Sequence, residues 1–535
     1  VILSTVVNIK QANPVMANVL TGNDIKMNFD KPTSTFHYFY YQTNNAPATD
    51  YANQRFKFTY SNGDKITVDG KTLTDNQYNK IDMTKPVTVS VWKYDVHRDY
   101  VIRINTGLPV VRITGAQSMT SGYDRVNWIG GATMTIEEPD GTISYTGSLS
   151  LKGRGNGTWT DFNKKPFAIK LDEKAKILGM HKQKRWILLA NFKDRTLLRN
   201  DAAFWISRNT DMPYTIDGQF VELIWNGEYK GNYYLCEQAS IDNHRIDINN
   251  PDLEDPEKGG FFMEIDAFLN TPEAAGKGED LGFFSEGANN RYKLPYIFKD
   301  PDQDEQGNLL TTSSPSYIYM KNYVKNMEDA IYNASSTNHS WMNYLDIDRA
   351  VDFALIQEIT MNHDAYNTWP KNGPHSAFLY KDSCGLICFG PMWDFDYHTF
   401  TLYGDFQYSG SWNDEENARL RQWEILKLDS KTSSGKYYFS DLASRDPQFQ
   451  SRLVQRWNQY KTVWKDILPA YIDQMADKIR VSEYYNEKKC GYPNKQNGDN
   501  DLDKSGNQDF QKAIDAMKKA FLIRWDWIDK NIGKL

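Results

Sequence analysis

The sequence predicts an α+β protein made of two units, an all-β sandwich over residues 1–106 and a larger domain over 107–535. In the second unit strands come first and helices later, which is the α+β pattern. The evidence in the first unit is a set of short alternating segments separated by turn signals. In the second it is a strong hairpin turn within a strand-rich half, followed by helical periodicity in the C-terminal half.

In the first unit Ile25-Lys26-Met27-Asn28-Phe29, Phe56-Lys57-Phe58-Thr59-Tyr60 and Val87-Thr88-Val89-Ser90-Val91-Trp92 alternate apolar and polar residues. Asn62-Gly63-Asp64 and Asp69-Gly70 punctuate them, as expected of an immunoglobulin-like sandwich. Its last strand is expected over Asp99–Ile104, with Thr106-Gly107-Leu108-Pro109 as the join and Pro109-Val110-Val111-Arg112-Ile113 starting the next domain as a strand. In the second unit Asp194 or Thr196 can cap a helix that runs to about Arg208. Phe220–Trp225 and Tyr229–Glu237 flank Asn226-Gly227, a strong hairpin signal. Apolar spacing predicts helices over about 316–333 and 345–362, a hairpin from Ala377 to Phe389, and a mainly helical tail from Pro447.

A chain of 535 residues with net charge −7 has ample apolar content for a large core and lacks the basic balance of a nucleic-acid binder. No apolar run approaches the ~20 residues that cross a bilayer, so no transmembrane segment is expected. No signal peptide is visible, and the sequence starts at Val1 without Met, as a processed chain would. Four cysteines make no disulfide framework. Cys236 and Cys388 read as buried thiols, Cys384 belongs to a turn and Cys490 to a loop. Two acidic stretches, Asp499–Gly506 and Asp300–Asp304, begin like calcium loops but are incomplete. In the first, Lys504 stands where the loop needs Gly and Phe510 where it needs Glu.

The chemistry-bearing segment is Met392-Trp393-Asp394-Phe395-Asp396-Tyr397, preceded by Asn362-His363-Asp364. On an extended segment two carboxylates two apart share a face. Asp364 follows the apolar-periodic run Val351, Ala354, Leu355, Ile359, at a helix exit. An Asp at such an exit with a second Asp on a later strand is the layout protein kinases use for base and metal ligand. Carboxylates with substrate phosphates are also what Mg²⁺ takes. Gly153, Gly155 and Gly157 alternate with Arg154 and Asn156, a pattern that lets backbone N–H groups and a guanidinium approach phosphate.

The series Leu151–Trp159, Lys164–Leu171, Leu178-Gly179-Met180, Arg185–Asn191, Leu198-Arg199-Asn200, Gly227–Glu237 and Gly259–Asp266 comes in that order. It closely resembles the spore-coat protein H (CotH) family, atypical kinases of secreted proteins, from about Leu108 to Trp525-Asp526-Trp527-Ile528.

The resemblance implies a two-lobed, atypical protein-kinase-like domain that uses ATP with Mg²⁺, Mn²⁺ being possible. It implies transfer to Ser or Thr of an exported or surface protein, and an exported location. Asp364 resembles the catalytic aspartate, and Asp394 or Asp396 the metal ligand, with Asp394 preferred. Position 369, where the kinase Asn would stand, is Trp; Asn367 and Asn372 are the substitutes for the second metal ligand. Arg154 and Asn156 are placed in the nucleotide site. Lys170 is the first choice for the phosphate-contacting lysine, with Lys165 or Lys152 behind it, and Glu237 or Glu264 is its carboxylate partner. Two other functions fit the same residues: a non-catalytic coat or surface assembly protein, and a carbohydrate-associated protein with paired acids.

Overall fold

The computed structural model describes residues 13–22, 24, 26–31, 34–37, 51–83, 85–269, 281–303, 307–362, 364–366, 374–397, 399–402, 418–427, 437–492 and 509–535. The N-terminal strands are β1 (Val15–Thr21), β2 (Asn28–Asp30), β3 (Thr35–His37), β4 (Gln54–Ser61), β5 (Lys65–Val68), β6 (Lys71–Thr72), β7 (Asn79–Ile81), β8 (Val87–Lys93) and β9 (Val96–Arg103). They make two sheets, β1-β4-β7 and β2-β3-β9-β8-β5-β6. Alternation decides the inner faces: Phe56 and Phe58 of β4, and Val87, Val89 and Val91 of β8, are buried while Thr88 is exposed. Asn62, Asp69 and Gly70 take the positive φ that their turns require. The arrangement fits a sandwich, and its core extends to Val481 and Tyr485 of a C-terminal helix. Asn28 Nδ2 also donates to Lys478 O at 3.2 Å.

Beyond the join, Thr106 Oγ1 donates to the buried Glu222 at 2.6 Å. Seven strands follow: β10 (Val110–Thr114), β11 (Ile129–Glu137), β12 (Ile143–Gly153), β13 (Phe167–Ala175), β14 (Gln183–Leu189), β15 (Gly218–Trp225) and β16 (Glu228–Glu237). They form a closed barrel in the order β10-β11-β12-β13-β14-β16-β15. Sequence alternation anticipates the strands but not the closure, which depends on the parallel pairing of β10 with β15. Phe167, Ile169, Leu171, Trp186 and Leu188 fill the interior. At the β15–β16 turn Asn226 and Gly227 both have positive φ, 49° and 82°, as a two-residue hairpin of this kind requires.

A second sheet has the order β18-β19-β17-β20-β21. Its strands are β17 (Phe261–Ile265), β18 (Gly282–Phe284), β19 (Pro295–Asp300), β20 (Ala377–Lys381) and β21 (Ile387–Phe389). The longer helices are α1 (Arg199–Arg208), α2 (Pro315–Tyr332), α3 (Ile347–Thr360), α4 (Tyr438–Arg445), α5 (Pro447–Cys490) and α6 (Phe510–Asn531). Cys490 therefore ends a helix rather than lying in a loop, because the tail helix runs on to it. Among the described residues no helix is long and apolar enough to cross a membrane.

Helix α3 starts at Asp346, whose side chain accepts from Arg349 N at 2.9 Å. It ends at Met361 in the left-handed region, φ 57°, which turns Asn362 and Asp364 out of the helix. Glu358, fully buried near that end, accepts N–H groups of Glu424, Ile425 and Leu426 and pairs with Arg524 of α6. A buried charge is stable only with such partners, and these pin the exit of α3 to the tail.

A candidate active site between barrel and sheet

A cleft of about 440 Å³ separates the barrel from the second sheet. Its barrel wall follows from register. Lys152 of β12 lies beside Ala168 of β13, which lies beside Ile187 of β14, and all three face away from the barrel interior. The glycine-rich segment continues β12 over this wall. Gly153 has no room for a side chain, since a Cβ there would sit 2.4 Å from the Trp159 ring. Gly155 adopts φ 86°. Arg125, which also lines the cleft, donates from Nη1 to Gly155 O at 3.0 Å and braces the loop. The Arg154 guanidinium lies 5.0 Å from the centre of the Trp393 ring and joins the two sides of the cleft.

The opposite wall is acidic. Phe262, Glu264 and Asp266 alternate along β17 and its exit, and all three line the cleft with Asp364, Asp394 and Asp396. The segment carrying Asp394 and Asp396 is not a strand, so alternation does not explain their shared face. Asp394 has φ 68°, a region that Asp tolerates better than most residues. Two hydrogen bonds hold it there. Asn362 Nδ2 donates to Asp394 O at 3.2 Å, and Phe395 N donates to Asn200 Oδ1 at 2.8 Å. Ser376 Oγ donates to the Asp394 carboxylate at 3.1 Å.

Burial, with the neighbouring Asp394 charge, raises Asp396 to about 7, while Lys193 pulls it back down. Lys193 also lies in the cleft, its Nζ 4.4 Å from the Tyr397 ring centre. His375 Nδ1 is 3.0 Å from Asp266 Oδ1. Burial works against its charge, but Asp266 overrides this, aided by Asp364 and Asp394, and the imidazole is raised above its ordinary value. Lys299 Nζ pairs with Glu264 at 3.1 Å. In the linker after β16, Gln238 Oε1 is buried and makes no hydrogen bond among the described residues.

Of the residues expected from sequence, the cleft brings together Arg154, Asn156, Glu264, Asp364, Asp394 and Asp396, along with Lys152. Lys170 is exposed and lies one pleat beyond the cleft, beside Ser150 and Arg185 in the register. Lys165 donates to Trp159 O and sits over that ring, away from the cavity. Glu237 is buried behind the wall, where it accepts from Tyr214 at 3.1 Å and Arg245 approaches at 3.9 Å. Asn367, Asn372 and His363 lie outside the described residues, as does Asp499–Gly506.

Sequence reasoning did not assign cleft roles to Lys193, Gln238, Lys299 or His375. Asp266 and Asn200 enter the sequence reading only as members of the motif series. Strand alternation from Phe262 was the one signal that reached Asp266. Among the described residues no group of three or more His, Cys, Asp or Glu could hold a metal unaided. A pair of carboxylates completed by phosphate oxygens and water is the usual surrounding of Mg²⁺.

The fold is mixed α+β, and its cleft sets cations and a glycine loop against carboxylates. The family model described as CotH kinase protein matches residues 151–528, so the chain belongs to the CotH kinase family. No curated protein matches the chain.

Proposed function

We propose that the chain is a phosphotransferase that moves the γ-phosphoryl group of Mg·ATP to a Ser or Thr hydroxyl of an exported or surface protein. In this reading the barrel and the helical part act as the two lobes of a kinase-like domain. One observation carries it: the Gly153–Gly157 loop with Lys152, Arg154 and Lys193 faces Asp364, Asp394 and Asp396 across a single cleft.

The residues present fit a purine nucleotide. Ala168 and Ile187 from the barrel, and Phe262 and Phe378 from the sheet, give apolar walls for a base. At the cleft edge the unpartnered Gln238 Oε1 accepts from an exocyclic amine. Lys152, Arg154, Lys193 and the loop N–H groups bind the phosphates. Asp394 and Asp396 would hold a Mg²⁺ or Mn²⁺ arriving with the nucleotide, which would supply charge neutralisation for the phosphates.

Asp364 orients the acceptor hydroxyl and takes its proton as the oxygen forms a bond to the γ-phosphorus. The bond from that phosphorus to the bridging oxygen breaks, and its electron pair leaves with ADP. Little covalent chemistry is asked of the protein, so positioning and charge account for most of the rate. Labelled ATP with candidate secreted acceptors tests the role of Asp364. Asp364→Asn keeps size and loses the base, so nucleotide binding persists while transfer falls by about 100-fold or more. Unchanged transfer removes Asp364 from the mechanism; lost binding makes it a metal ligand.

A further inference from the structure

The dipeptide His375-Ser376, at the entry to β20, touches three acidic residues of the cleft at once, Asp266 and Asp394 through their carboxylates and Asp364 through its backbone carbonyl. His375 N donates to Asp364 O at 2.8 Å, so the backbone at the proposed base is fixed by its neighbour in space. Ser376 Oγ donates to Asp394 Oδ2 at 3.1 Å. The imidazole is bound to Asp266 Oδ1 at 3.0 Å through Nδ1, and its plane packs on Phe268 with centroids 4.6 Å apart.

Ser376 has φ 54°, a left-handed conformation that is unfavourable for a residue with a Cβ. Asn191 (46°) and Asp394 (68°), which line the same cleft, share that region. Three such residues around one cleft mark a backbone held in place by its surroundings, the pattern found where geometry serves function. A carboxylate on one ring nitrogen of a histidine orients the ring and favours its protonated form, in which both nitrogens carry a proton, so the other N–H is aimed. Here the aimed atom is Nε2, which has no hydrogen-bond partner among the described residues, on a side chain that lines the cleft beside Asp364 and Asp394.

We infer that His375 is a catalytic residue whose Nε2–H donates a hydrogen bond to the phosphoryl group in transfer, and that Asp266 and Ser376 are its positioning residues. The inference rests on the phosphotransferase reading above. His375 keeps its proton throughout: the acceptor hydroxyl proton goes to Asp364, and the leaving electron pair goes to ADP. A fixed donor aimed where charge is redistributed in the transition state contributes without reorganising. It also places one positive group among carboxylates that otherwise repel an incoming phosphate.

The test separates the two ring nitrogens. In His375→Asn the amide reaches the Nδ1 position and keeps the bond to Asp266, but nothing reaches Nε2. In His375→Gln the amide nitrogen reaches towards Nε2. ATP turnover is measured as kcat and KM, with Mg·ADP-induced thermal stabilisation as a second readout. His375→Asn is expected to keep the ADP shift and KM and to lose about 100-fold in kcat, with His375→Gln recovering roughly 10-fold of that loss. Wild-type kcat in His375→Asn would overturn the inference, as would equal losses in both variants with the ADP shift intact. A wild-type protein without any ADP shift would instead overturn the nucleotide reading, and this inference with it.

Discussion

Asn200 is the residue whose removal should reveal how the Asp394 segment is held. Its side chain accepts from Phe395 N at 2.8 Å and donates to Asn191 Oδ1 at 3.0 Å, all within the buried interior. In Asn200→Ala both partners lose their hydrogen bond. A buried donor or acceptor left unsatisfied costs about 1–3 kcal/mol, so two such groups cost about 2–6 kcal/mol. Thermal unfolding should register this as a fall of roughly 2–7 °C for a domain of this size. The second effect is on function. Asp394 is held at φ 68° partly by the Phe395 bond, and releasing a residue from such a conformation recovers about 1–3 kcal/mol that binding must then supply again. Mg·ADP affinity should therefore drop by about 10- to 100-fold. Isothermal titration measures the second effect beside calorimetric melting for the first. If Asn200→Ala melts and binds like wild type, Asn200 does not support the Asp394 segment.

Two further outcomes follow from buried charges remote from the nucleotide. Arg524→Met strips Glu358 of its cation while its carboxylate stays buried among backbone N–H groups, and breaking such a pair costs about 3–5 kcal/mol. The double variant with Glu358→Gln should recover part of this in chemical denaturation, and equal stability of single and double variants would refute the pairing. Burial raises Glu328 to about 7, against hydrogen bonds from Ser285, Tyr438 and Gly287 that lower it. The folded chain keeps this proton where the unfolded chain has lost it. Its contribution to stability is thus full below about 4.5 and lost as pH rises to about 7, a change of about 3 kcal/mol. Glu328→Gln can donate to Tyr438 and accept from Gly287, so its melting temperature should exceed wild type at pH 8 and match it near pH 4.5. An identical pH profile for both proteins would remove Glu328 from the account.

Local chemistry in the sequence was legible wherever neighbours in the chain decide the structure. Asn226-Gly227 predicted the β15–β16 hairpin, and apolar spacing placed α2 and α3 to within two residues of their observed ends, Pro315–Tyr332 and Ile347–Thr360. The cleft itself was less legible because register creates it. Alternation shows that Lys152, Ala168 and Lys170 face out of the barrel, but only strand pairing shows that the cleft runs across Lys152, Ala168 and Ile187 and stops short of Lys170. Asp394 and Asp396 share the cleft through a left-handed residue braced by Asn200 and Asn362, not through a strand. Lys193, Asn200, Asp266 and His375 come from four separate segments, and no local pattern brings them together.

The central claim is that this cleft holds a metal-bound nucleotide on Asp394. Titration of Mg·ADP into the wild-type chain and into Asp394→Asn, with and without chelator, tests it directly. Saturable one-to-one binding that requires the metal and weakens at least 100-fold in Asp394→Asn is the predicted result, since a carboxylate–metal contact is lost. No heat from the wild-type chain at millimolar nucleotide, with either Mg²⁺ or Mn²⁺, would contradict it.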